Sequence, residues 1–173
     1  MKLVVATSGA SGVNLGLKSL KLLPKEVDAH FIMSKNSQTV LAKEMHHVTT
    51  HKNEDISASI ASGSFGVDAM LIAPCSMNTL AKIACGISDN LVTRCASVMI
   101  KEQKKLILAP REMPFSAIAL ENMQKLSALG IIIAPPVMAY YSEQQTLDEM
   151  ENFIIGKWFD LLGIENNLYK RWE

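Results

Sequence analysis

The segment MKLVVATSGASG, residues 1–12, decides how the rest of the chain is read. Leu3-Val4-Val5-Ala6 is a short apolar run with β-branched content, the composition of a strand covered on both faces. Thr7 to Gly12 carries no bulky side chain. Val13, Leu17 and Leu20 then fall about one helical turn apart before Pro24 closes the segment. A strand, a small-residue turn and a helix N-terminus leave backbone N–H groups and hydroxyls where an anion can sit. The turn Gly9-Ala10-Ser11-Gly12 does not have GxGxxG spacing. No acidic residue stands near the end of the second strand to take a ribose hydroxyl, and Asp28 lies at its start, on the opposite rim. A mononucleotide phosphate therefore fits better than a dinucleotide. The alternative is a tight turn with no ligand.

Outward from this segment the alternation repeats. Strand-like runs occur at Val27–Met33, Ala69–Pro74, Lys105–Ala109 and Gly130–Ala134. Helical patterns cover Val13–Leu23, Ser34–Met45, Met77–Cys85, Asp89–Ile100, Phe115–Leu129 and Leu147–Leu162. This order predicts an α/β fold with a mainly parallel central sheet and helices on both faces. The loops after Ala6, Met33, Ala73 and Ala109 then share the rim where open α/β sheets bind ligands. His46–Asp55 reads as a solvated loop, because His46 and His47 lack the i, i+4 spacing of a helical metal site. Ser57–Gly66 is rich in small residues that let a helix or loop approach a neighbouring chain closely.

With 173 residues, 49% of them apolar, the chain is expected to form one domain over residues 1–173. Lys+Arg equals Asp+Glu at 17 each, which removes the main argument for nucleic-acid binding. The apolar runs are too short for a membrane span. Cys75, Cys85 and Cys95 show no CxxC pairing, so reduced thiols in a cytoplasmic protein are expected. The tail from about residue 164 to 173 carries Tyr169, Arg171 and Trp172, and is expected to dock on the pocket or on a neighbouring subunit.

Three further stretches carry candidate chemistry. Ser34 follows a strand and is either a helix N-cap or a cofactor contact. In Pro74–Thr79, Ser76, Asn78 and Thr79 can donate hydrogen bonds at a helix N-terminus, whereas Cys75 reads as a packed side chain because no histidine is near it in sequence. Arg111 and Glu112 stand between Pro110 and Pro114, either as a surface ion pair or as an anion pocket with a proton donor. Arg94 and Lys101, seven residues apart, share a helix face.

GASG at 9–12, MSK at 33–35, SGSF at 62–65, PCSMNTLAKIACG at 74–86, DNLVTRCASVMIKE at 89–102, PREMPFS at 110–116 and GIIIAPPVMAYY at 130–141 together resemble the UbiX-type flavin prenyltransferases. These belong to a wider group of homo-oligomeric flavoproteins that includes flavin-dependent cysteine decarboxylases. The resemblance implies a Rossmann-like three-layer sandwich. It also implies transfer of a dimethylallyl group from dimethylallyl phosphate to N5 and C6 of reduced FMN, without a metal, giving prenylated FMN for a UbiD-type decarboxylase. A homododecamer is the implied assembly.

Carried over by motif, Gly9, Ala10, Ser11, Ser34, Ser76, Met77, Asn78, Thr79 and Arg111 would bind FMN. Tyr141, Lys157, Arg94 and Lys101 would bind the donor phosphate, with Arg94 and Lys101 supplied across a subunit interface, and Trp172 would cover the pocket. Glu112, Glu44 and Ser11 are the implied catalytic residues. Two departures stand out. Ser142-Glu143-Gln144 follows Tyr141 where a His-Arg-Pro-like stretch is common, and Lys157 replaces a common arginine, keeping the charge without the bidentate fork. The rival readings are a cysteine decarboxylase, which would need an active-site histidine, and a non-catalytic FMN carrier.

Overall fold

The computed structural model describes residues 1–9, 12–33 and 47–172. Ala10, Ser11, Ser34, Glu44, His46 and the helix expected over Ser34–Met45 lie outside the described residues. The strands are β1 (Lys2–Ala6), β2 (Asp28–Met33), β3 (Val48–Lys52), β4 (Ala69–Cys75), β5 (Lys105–Pro110) and β6 (Ile132–Ile133). The helices are α1 (Val13–Lys21), α2 (Met77–Ala84), α3 (Leu91–Lys101), α4 (Ala117–Ala128) and α5 (Leu147–Leu162).

All strand pairs are parallel, in the order β3-β2-β1-β4-β5-β6. The order runs outward in both directions from the β1/β4 pair, where Leu3 sits opposite Ala69 and Ala6 opposite Ile72. A doubly wound sheet of this order opens its ligand crevice at the carboxyl ends of those two strands, because the connections leave them in opposite directions.

Alternation along each strand builds a core on either face. Leu3, Val5, Phe31, Leu71 and Ile107 pack with α1 and α5, including Trp158 and Phe159. Val4, Ala6, Ile32, Met70, Ile72 and Leu108 pack with α2, α3 and α4 through Leu80, Leu91 and Leu126. Because both faces are buried, the central strands read as unbroken apolar runs rather than alternating ones. Trp158 is buried, and its indole N–H donates to the Ala134 carbonyl at 3.0 Å, so its polar atom is satisfied.

Helix starts follow local chemistry. Ser76 caps α2 and Ser116 caps α4, while Asn90/Thr93 and Thr146/Glu149 form reciprocal capping boxes on α3 and α5. Helix α1 differs: its N-cap is Gly12, with no side-chain cap.

One expectation is corrected. The solvated loop over His46–Asp55 contains strand β3, paired to β2 from Ala29↔Val48 to Met33↔Lys52. As an edge strand with Thr49 and Thr50 exposed, it carries no apolar run to betray it. Ser57–Gly66 forms two short 3-10 turns, Ser59–Ala61 and Gly63–Phe65, and within the chain a Cβ on Gly63 would lie 2.5 Å from a Glu102 carboxylate oxygen. Among the described residues, no helix is long and apolar enough to cross a membrane.

Candidate functional site

The loops after β1, β4 and β5 converge at the switch point. Ser8 N–H donates to the Pro74 carbonyl at 2.9 Å, and the Ser8 hydroxyl accepts from Ser76 N–H at 2.9 Å. These bonds stitch the first two loops together. The resulting cleft, about 120 Å³, is lined by Gly9, Ser76, Met77, Arg111 and Glu112, with Ser8, Pro74 and Cys75 as its remaining wall. It shares Arg111 and Glu112 with a larger apolar hollow of about 410 Å³, walled by Pro114, Phe115, Pro135, Pro136 and Met138.

The α1 and α2 N-termini and Arg111 make the cleft suited to an anion, because helix N–H groups and a guanidinium all present positive charge. Gly12 has φ +83°, and a Cβ there would lie 3.3 Å from Arg111 Cδ and 3.8 Å from Pro74. The turn thus combines a left-handed backbone with a cradle that a side chain would fill. At the end of β1 the Thr7 hydroxyl is buried and has no hydrogen-bond partner among the described residues. A small anionic head in the cleft and a flat apolar ring in the hollow is the occupant these walls fit.

The candidate residues divide in space. Gly9, Ser76, Met77, Arg111 and Glu112 come together. Asn78 is exposed beyond the cleft wall, and Thr79 is buried, its N–H donating to the Ser76 oxygen at 3.2 Å and its hydroxyl accepting from Ser76 at 3.1 Å. Cys75 is buried, and burial pushes its thiol up to about 12, which removes it as a nucleophile. Glu112 accepts from Met113 N–H at 3.3 Å and is exposed to the cleft.

Tyr141 and Trp172 stand together in a second cavity of about 390 Å³ with Glu143, Lys170 and Arg171. Their rings meet edge to face at 5.6 Å. The tail reaches this position by folding back along α5. Asp160 accepts from Tyr169 and Asn166 and is gripped by both Arg171 terminal nitrogens, at 2.9 and 3.2 Å. Burial raises the Asp160 pKa, but hydrogen bonds from Arg171, Tyr169 and Asn166 outweigh it and hold the carboxyl below its usual range. Lys157 lies 6.0 Å from the Tyr169 ring centre, outside both cavities. Arg94 is exposed on α3, and Lys101, paired with Glu102, lines a separate hollow of about 250 Å³ between α2, α3 and Leu129.

Sequence reasoning passed over Ser8, whose partners lie 66 and 68 residues away. It also passed over the Asp160 clamp, for which the acid in the last turn of α5 and an arginine in the tail were the available signal. His30 and His51 bond to each other at 3.1 Å, with Asp28 3.4 Å from His30 and Phe65 edge-on to it. Among the described residues no histidine lines the cleft, and no group of three or more metal-binding side chains exists.

Fold and cleft together define a mononucleotide-binding α/β protein. The family described as Flavoprotein matches residues 1–158. The flavin prenyltransferase UbiX of Helicobacter pylori strain 26695 is 50% identical over 184 residues, covering 99% of this chain and 98% of that one. A dodecameric FMN-dependent UbiX-like decarboxylase from Escherichia coli O157:H7 superposes with TM-score 0.92 at 40% identity, covering 100% of both chains. AnUbiX, solved in complex with FMN and dimethylallyl pyrophosphate, superposes with TM-score 0.89 at 35% identity, over 99% of this chain and 97% of that one. The chain belongs to the Flavoprotein family and, within it, to the UbiX-type flavin prenyltransferases.

Proposed function

We propose that this protein joins a dimethylallyl group from dimethylallyl phosphate to N5 and C6 of reduced FMN. The observation that carries the reading is the cleft at the β1/β4 switch point, where Gly9, Ser76, Met77, Arg111 and Glu112 meet beside an apolar hollow. Reduced flavin supplies the nucleophile when bound. Gly9, Ser76, Met77 and Arg111 hold it, joined in our reading by Ala10, Ser11 and Ser34. Glu112 manages a proton at its carboxylate, and Glu44 and Ser11 complete the catalytic set. The prolines and Phe115 of the hollow keep water from an allylic cation.

On the donor side Tyr141 donates its hydroxyl to the phosphate, Lys157 adds charge, and Trp172 covers the cavity. These donors act on the negative charge that develops as the phosphate leaves. Arg94 and Lys101 lie on α3 away from the cleft, so they reach a donor from a neighbouring copy of the chain. A homododecamer, as in the E. coli relative, accommodates this. A UbiD-type decarboxylase is the proposed recipient of the product, and three unpaired cysteines favour a reducing, cytoplasmic setting.

Anaerobic incubation with reduced FMN and dimethylallyl phosphate should raise the flavin mass by one dimethylallyl unit. An unchanged mass with both the monophosphate and the pyrophosphate donor would overturn the reading in favour of an FMN carrier. The cysteine decarboxylase alternative lacks a cleft histidine among the described residues, since His30 and His51 are engaged with each other across β2 and β3.

A further inference from the structure

We infer that Glu143 is a specificity residue that makes this enzyme discriminate against diphosphate donors, an inference that rests on the donor-side reading above. Among the described residues the second cavity is lined by three formally charged side chains, Glu143, Lys170 and Arg171. Arg171 is already neutralised, because Asp160 takes both of its terminal nitrogens. Lys170 is paired with Glu143 at 3.4 Å. The cavity therefore offers Tyr141 and Trp172 to a donor, but its remaining cation is matched by a carboxylate.

The backbone at Glu143 is held by its neighbours. Its backbone adopts φ 58°, its carbonyl accepts from Gln145 Nε2 at 3.0 Å, and the flanking Ser142 is buried and hydrogen-bonded by Gln144. Two residues on, Gln145 N–H donates to Glu149 at 2.6 Å, tying the loop to the capping box of α5. A non-glycine residue at positive φ is costly, and here the surrounding bonds maintain it. The backbone at Glu143 is thereby fixed, and its largely exposed side chain lines the cavity beside Lys170.

The consequence is electrostatic. A diphosphate donor brings one more ionised phosphate than a monophosphate donor, and Glu143 repels that additional charge while withholding Lys170 from it. Removing the carboxylate frees Lys170 and should favour the diphosphate by about threefold relative to the monophosphate, the size expected of one charge pair at a largely exposed site. Removing Lys170 leaves the carboxylate uncompensated and should shift the preference about as far in the opposite direction.

The test uses the full-length protein. First, kcat/KM is measured for dimethylallyl phosphate and dimethylallyl pyrophosphate on the wild type, Glu143→Gln, Glu143→Gly and Lys170→Ala. Second, calorimetry gives the Kd for inorganic phosphate and inorganic pyrophosphate on the same proteins. We expect both Glu143 variants to move both ratios toward the diphosphate, Lys170→Ala to move them away, and the shifts to shrink as salt rises from 0.05 to 0.5 M. Glu143→Gly also relieves the backbone, so agreement between the two Glu143 variants assigns the effect to charge. Unchanged ratios, or shifts of one sign in all three variants, would overturn the inference. Turnover by the wild type with either donor keeps the parent reading intact in that case, whereas no turnover with either donor is a failure of the parent reading.

Discussion

Gly16 is the position where a single methyl group should reach the cleft through the fold. It lies in α1 against β4, and a Cβ there would stand 2.2 Å from the Ala73 carbonyl oxygen and 2.7 Å from Thr7 Cγ2. The first obstacle is backbone, at the residue before Pro74, so no rotamer change relieves it. To reach an ordinary contact near 3.4 Å, helix and strand must separate by more than 1 Å, moving the walls that Ser8 and Pro74 build. Gly16→Ala gains about 1 kcal/mol of helix propensity but incurs an overpacking cost at the upper end of about 1–3 kcal/mol or beyond. The expected net loss is about 2 kcal/mol, or about 4–8 °C in melting temperature for a domain of this size. Thermal melting and FMN titration by fluorescence quenching, run side by side, check it. Weaker FMN binding should accompany the lower melting point. A variant that melts within 1 °C of the wild type with unaltered FMN affinity would refute the reasoning.

Other perturbations give simpler readouts. Glu112→Gln should retain FMN yet slow prenyl transfer by about 10²-fold, the low end of general acid–base effects, in single-turnover assays. Alkylation of the native protein at pH 8 should spare Cys75 and Cys95, both buried with thiols pushed up to about 12, as read by intact mass before and after denaturation. The His51 pKa is lowered by burial and then by His30, so the unfolded state binds more protons. The stability this confers is present above the ordinary value of 6.5 and is lost as pH falls below it. Denaturant midpoints measured from pH 7.5 to 5 should therefore fall, and His51→Gln should flatten that slope. Asp160→Asn should leave FMN binding intact but release the tail, seen as faster proteolysis after Leu168 and a higher KM for the donor.

What the sequence reveals depends on how each element is buried. Strands β1, β4 and β5 were legible because Leu3, Met70, Leu71, Ile107 and their neighbours are enclosed on both faces. Strand β3 was hidden because Val48-Thr49-Thr50-His51-Lys52 has one partner strand and exposed threonines; its buried histidine interaction with β2 cannot be seen from composition. The cleft was legible at Gly9, Ser76, Arg111 and Glu112 because each follows the end of a recognisable strand, and parallel topology puts those ends on one rim. Its internal bonds were not legible, since Ser8 and Pro74 meet only after folding. Tyr141 and Trp172 carry no periodic signal at all. The aromatic tail marks Trp172 for docking and resemblance supplies the pocket roles of both, and the structure brings them together through a loop held by side-chain hydrogen bonds and a tail held by Asp160.

This difference has a chemical meaning. The cleft stands on β1, β4 and β5, where displacing one wall disturbs a close-packed core, so its geometry is costly to alter. The second cavity is lined by Tyr141 and Glu143 and by residues 170–172, joined by exposed ion pairs and ring edges of the kind that contribute about 1 kcal/mol or less each. Tyr141 in the second cavity follows Met138, in the hollow beside the cleft, by only three positions, a reach of at most about 11 Å. On the proposed reading, one site then has a rigid half for the flavin and an adjustable half for the donor. Substitutions such as Ser142-Glu143-Gln144 can retune donor charge at the second half without moving the strand ends that form the first.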